Sequence, residues 1–160
     1  MAVWLVWGIM SLRRGAWAPL LVFGIHVVGI LCFDIYRAVP DFDIPMHFIG
    51  GVAIAHFFGM CYRTADRMRL LGEPSGVMFP PLILGLTSLA AVVWEFAEFL
   101  ADRQFGLHTQ PSLADTLLDL LMGLFGGAVW IAGHRLCCSD NRSLNGKPKG
   151  SESGKKTPDE

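Results

Sequence analysis

Apolar positions in this chain gather into four long runs separated by short polar stretches: Ala16–Tyr36, Pro45–Tyr62, Phe79–Ala101 and Leu113–Leu136. Each approaches the roughly 20 mostly apolar residues that a helix needs to cross a bilayer. A fifth stretch, Ala2–Met10, is apolar but too short to span. It has neither the basic start nor the small-residue cleavage site of a secretory signal. It therefore reads as an interfacial lead-in to the first helix, with Trp4, Trp7 and Trp17 at the membrane boundary.

Helix starts are punctuated where a missing N–H costs little, by Pro45 and by Pro80-Pro81. Pro111-Ser112 opens the fourth run, with Ser112 as its N-cap. From Ser139 to Glu160, Leu144 is the only large apolar residue, too little to bury a core. The pattern predicts an all-α polytopic membrane protein. A bundle of four transmembrane helices occupies residues 1–137, and a disordered cytoplasmic tail occupies 138–160.

Composition agrees: 52% of residues are hydrophobic and 17% charged, with a mean hydropathy of +0.45. A net charge of −1, from 13 basic and 14 acidic residues, argues against a nucleic-acid partner. The cysteines form no C-x-x-C, and two of them, Cys137 and Cys138, are adjacent, so neither a disulfide framework nor a zinc ribbon is expected.

Basic residues set the topology. Arg13 and Arg14 precede the first span, Arg63, Arg67 and Arg69 follow the second, and Arg135 with the tail lysines follows the fourth; the other two loops hold only Arg37 and Arg103. The positive-inside rule then places both termini in the cytoplasm. At the outer helix ends this collects Asp34, Asp41, Asp43, Glu95, Glu98, Asp102, Asp115 and Asp119, together with His47 and His108.

At about 100° per residue, Glu95, Glu98 and Asp102 share an arc of roughly 60°. Asp115 and Asp119 share a stripe with Gly123 and Gly126, and His47 one with Gly50, Gly51 and Ile54. Small residues mark helix–helix contact in membranes, and Gly123-x-x-x-Gly127 fits that pattern, so these acids face the bundle. A carboxylate at mid-membrane costs about 2.5–3.5 kcal/mol, less near the edge. Near a helix C-terminus, as for Glu98, Asp102 and Asp34, the macrodipole adds about 0.3–1 kcal/mol. A bound cation or shared protons would offset these costs together.

Structural roles compete with that reading. Asp115 completes Ser112-Leu-Ala-Asp115, close to a capping box. Asp41 and Asp43 are placed to cap the second helix, and Asp102 to be a solvated loop acid. His26 and His56 lie deeper, with no acid beside them in sequence, as helix–helix hydrogen-bonding residues do.

Three blocks carry a resemblance: Asp43-Ile-Pro-Met-His47-Phe-Ile-Gly50-Gly51, Trp94-Glu95-Phe-Ala-Glu98 with Asp102 and Gly106, and Asp115-Thr-Leu-Leu-Asp119 followed by Gly123, Gly126 and Gly127. In this order they resemble the YjdF-type family of bacterial inner-membrane proteins, a family without an established activity. They are more distantly similar to VanZ-like proteins, which are linked to teicoplanin resistance. The resemblance implies a compact multi-helix protein of the bacterial plasma membrane and a connection with the cell envelope. Signatures of CDP-alcohol phosphotransferases, lipid phosphatases, serine hydrolases, P-loop NTPases and zincins are absent from the sequence.

Three readings remain. In the first, His47, Glu95, Glu98, Asp115 and Asp119 hold Mg²⁺, Mn²⁺, Ca²⁺ or Zn²⁺. Asp43 and Asp102 then stand behind them as supporting or catalytic base groups, and the substrate is an envelope lipid or phosphorylated precursor. In the second, the same acids begin a cation or proton path, continued only by His26, His56, Thr87 and Ser88 unless a homo-oligomer completes it. In the third, they tie helices together without catalysis. Membrane lipids are the expected partners in all three.

Overall fold

In a computed structural model, described over residues 2–33, 35–39, 41–71, 76–106 and 109–145, the chain is all-helical. Four long helices, α1 (Ala2–Phe33), α3 (Asp43–Arg67), α4 (Phe79–Phe105) and α5 (Leu113–Asn145), are joined by loops, with one short helix, α2 (Ile35–Ala38), after α1. Each long helix contains a stretch long and apolar enough to cross a membrane, so this is a multi-pass membrane protein.

The helices outrun the apolar stretches that predict them, because backbone hydrogen bonding does not stop where hydrophobicity does. The expected lead-in over Ala2–Met10 and the first span are one continuous helix that includes Pro19 and is described as far as Phe33. The side chains of Trp4 and Trp7 lie outside the described residues, whereas Trp17 is exposed. The second span continues through a polar turn to Arg67. The third runs to Phe105 and stops at Gly106, whose φ of 66° is left-handed and whose N–H returns to the Asp102 carbonyl. The fourth, α5, is helical to Asn145, beyond the Leu136 end of its apolar run. No Gly or Pro interrupts it between Gly133 and Gly146. Residues 146–160, along with Asp34 and His108, lie outside the described residues.

Chain direction alternates, so α3 and α5 run parallel and both start at the end where α1 and α4 finish. Their seam is the tightest in the bundle. A Cβ on Gly51 would collide with the Gly123 carbonyl, one on Gly126 with the Phe48 carbonyl, and one on Gly59 with the Trp130 ring. Glycine is therefore required here for backbone approach. Gly127 turns the other way, towards Thr87 of α4.

The interior is mixed. At the end where α3 finishes and α4 begins, Ala55, Phe79, Ile83 and Ile131 are buried against Phe58, Tyr62, Leu84 and Trp130. Elsewhere buried positions are largely polar: His26, Asp43, His47, Thr87, Glu95, Glu98 and Asp119. Large apolar side chains such as Leu20, Leu89, Phe96, Leu121 and Phe125 point outward. That arrangement suits lipid, where outward-facing leucine loses nothing relative to burial.

Candidate functional site

The polar interior lies at one end, built by the last turns of α1 and α4 and the first turns of α3 and α5. Its centre is His47, one turn into α3. Asp43 opens that helix; its N-cap residue, Phe42, makes no side-chain capping bond, so the capping role expected for Asp41 and Asp43 is not found. Asp41 is exposed and occupies a left-handed turn position at φ 67°. The Asp43 carboxylate instead turns along the helix, placing Oδ1 3.1 Å from His47 Nε2.

Two other helices bring acids to the same ring. Asp119 Oδ1 of α5 stands 3.9 Å from Nε2, and Glu95 Oε1 of α4 stands 3.7 Å from Nδ1. One turn further along α4, Glu98 Oε1 is 3.6 Å from His26 Nε2 of α1. Two sets of ligand-type atoms, Asp43–His47–Asp119 and His47–Glu95–Glu98, each lie within 4.8 Å of one another. Opposite ligands of a Ca²⁺ ion bonded at 2.3–2.6 Å stand roughly 4.6–5.2 Å apart, so the spread has the scale of a coordination sphere.

The carboxylates are poorly satisfied. Both oxygens of Asp119 are buried without a hydrogen-bond partner, as are Oε1 of Glu95 and Oδ2 of Asp115; Oδ1 of Asp43 has only the His47 ring beside it, and the Glu98 carboxylate only Trp94 and His26. The Asp119 side chain is only 2% exposed and that of Glu98 only 5%. Desolvating an ionised carboxylate costs on the order of several kcal/mol unless a cation, a proton or donors compensate.

Of the residues singled out from sequence, His47, Glu95, Glu98 and Asp119 converge, and Asp43 joins them at the ring rather than standing behind it. Asp115 is half-buried and belongs to neither set of ligand atoms; its backbone N–H donates to Ser112 Oγ at 3.2 Å, so Ser112 caps α5 as expected. Asp102 is committed to the α4–α5 loop. Its carboxylate accepts from the Thr109 N–H (3.0 and 3.1 Å), the Thr109 hydroxyl (2.7 Å) and the Gln110 N–H (3.0 Å).

Two residues gain importance only from the structure. Gln110 Nε2 donates to Glu95 Oε2 at 2.7 Å and to the Glu95 carbonyl at 3.0 Å, fixing one carboxylate oxygen and leaving the other towards His47. His26 reaches Glu98 from a helix with no acid nearby in sequence, a pairing no local spacing signals. His56 packs edge-on against Trp130, away from the cluster.

The Thermotoga maritima "Uncharacterized protein" is 32% identical over 103 residues, which are 64% of this chain and 52% of that protein. The chain thus spans about half the length of this curated relative. No solved structure matches it. The family described as "Predicted membrane protein (DUF2238)" matches residues 4–138, a stretch that contains every residue of the cluster. That match is consistent with the YjdF-type resemblance and says nothing of a VanZ-like one; this chain belongs to the DUF2238 family of membrane proteins.

Proposed function

We propose that the acidic end of the bundle is a divalent-cation site, open to the outer face of a bacterial plasma membrane and serving phosphate-bearing envelope lipids or their precursors. The observation that carries this reading is the convergence on His47 of carboxylates from α3, α4 and α5, with both oxygens of buried Asp119 lacking a hydrogen-bond partner. Oxygen donors with one imidazole suit Mn²⁺ or Zn²⁺ first and Mg²⁺ or Ca²⁺ next. Because each imidazole nitrogen faces carboxylates, one could bind the ion while the other donates to an acid, the arrangement that orients histidine ligands in metalloproteins. The distribution of arginines between the loops supports the outer-face orientation.

The transport reading has less support. The Thr87 and Ser88 hydroxyls donate to the carbonyls of Ile83 and Leu84 in their own helix, both at 2.8 Å, and His56 faces an aromatic ring. Elemental analysis of the detergent-purified protein beside a Glu95→Ala/Asp119→Ala variant tests the proposal. Stoichiometric metal in the parent and none in a folded variant is expected. A parent that takes up none of the four ions on reloading would overturn the site and leave a purely structural role.

A further inference from the structure

Next to the carboxylates, a crevice of about 310 Å³ lies between α1 and α4, with α3 as its floor. Its lining is almost wholly apolar, including Leu20 and Phe23 on one wall and Ala90 and Trp94 on the other; His26 and His47 supply polar groups beside the cluster. Along α3 it extends from Met46 to Ile54, roughly 12 Å at 1.5 Å per residue. α1 packs along α3 but scarcely meets α4. At one end of this gap, the Trp94 ring stands edge-on to Phe23 and His26 at 5.9 and 4.9 Å. Leu20 is 65% and Phe23 51% exposed, so the crevice opens towards the surrounding lipid.

An apolar crevice of this kind stays dry, and its lining forgoes dispersion contacts unless apolar matter fills it. Its mouth faces the bilayer through Leu20 and Phe23, so the apolar matter at hand to fill it is a lipid hydrocarbon chain. At the polar end, bare carboxylates repel an anionic head, whereas a cation held by them attracts one.

We propose that this crevice seats one acyl chain of a phospholipid, bringing its phosphate to the cation at His47, Glu95, Glu98 and Asp119. The phosphate contact rests on the cation reading; the chain seat rests on the shape and lining of the crevice. Gly50 supplies the test, because it lines the crevice and a Cβ there meets nothing within 4 Å. A Gly50→Leu side chain therefore starts into the crevice with no clash at its Cβ.

Native mass spectrometry of the delipidated, metal-loaded full chain, titrated with 1-palmitoyl-2-oleoyl-phosphatidylglycerol, reads lipid, metal and subunit number separately. One lipid per chain is expected, bound at least tenfold more weakly by Gly50→Leu at unchanged metal content. It is also expected to bind at least tenfold more weakly to Glu95→Ala/Asp119→Ala, which lacks the metal. Equal lipid affinity in parent and Gly50→Leu, or a dimer that excludes lipid, overturns the chain seat. Equal affinity with and without bound metal overturns the phosphate contact. A parent that takes up no metal refutes the cation reading directly, and lipid loss in Gly50→Leu still decides the chain seat.

Discussion

The two ends of the bundle use the same residue types in opposite ways. At the end where α3 finishes, His134 stacks on Trp130 with ring centres 5.1 Å apart, and Phe79 lies 5.2 Å from His134 and 5.0 Å from Tyr62. Imidazole there is one ring among others, beside a filled apolar core. At the other end His47 is surrounded by carboxylates, several of whose oxygens lack donors, beside an apolar crevice. One end has the packing of a stabilising core; the other combines buried carboxylates with open space, an arrangement that costs stability unless a cation, a proton or donors compensate. In so small a bundle, apolar packing and buried acids are segregated to opposite ends.

The comparison breaks most clearly under paired substitutions. Trp130→Ala removes the ring that fills the space beside Gly59 and should lower stability in detergent by about 3–5 kcal/mol, with metal content unchanged. Asp119→Asn should do the reverse. Metal is lost, while melting in chelator stays level or rises, because an unpartnered buried charge has been removed. Thermal unfolding and elemental analysis on the same samples decide it; a large loss of stability from Asp119→Asn in chelator would mean that this carboxylate has a structural role.

Smaller effects sharpen the acidic end itself. Asp102→Ala removes the acceptor for Thr109 and Gln110 and should cost about 1–3 kcal/mol, seen as a lower melting temperature and faster proteolysis in the α4–α5 loop. Gln110→Ala leaves the fold intact but frees the Glu95 carboxylate, and groups that orient ligands in this way typically contribute 10–100-fold to metal affinity. A metal titration returning parent affinity would place Glu95 outside the coordination sphere. Smallest of all, Gly50→Ala should stabilise α3 by about 0.5–1 kcal/mol, because alanine loses less backbone entropy in a helix, without altering metal binding.

Much of this protein was legible in its sequence, for local reasons. Runs of apolar residues predict four spans, and the structure has four. The stripes bearing Gly51, Gly123 and Gly126 predict close packing, and α3 and α5 meet there. Glu95 and Glu98, spaced within an arc on α4, face the cluster together because helical rotation is fixed.

Helix ends were less legible, since hydrogen bonding carried α5 past its apolar stretch to Asn145. Pairings between helices left no trace in local spacing: His26 with Glu98, Gln110 with Glu95, and Asp102 drawn to the loop instead of the cluster. Sequence by itself determined which segments cross the membrane and which faces carry charge, because periodicity and lipid solvation act on each helix alone. Only the tertiary structure decided which charges share an ion-sized space, because that depends on how helices far apart in the chain approach and rotate against one another.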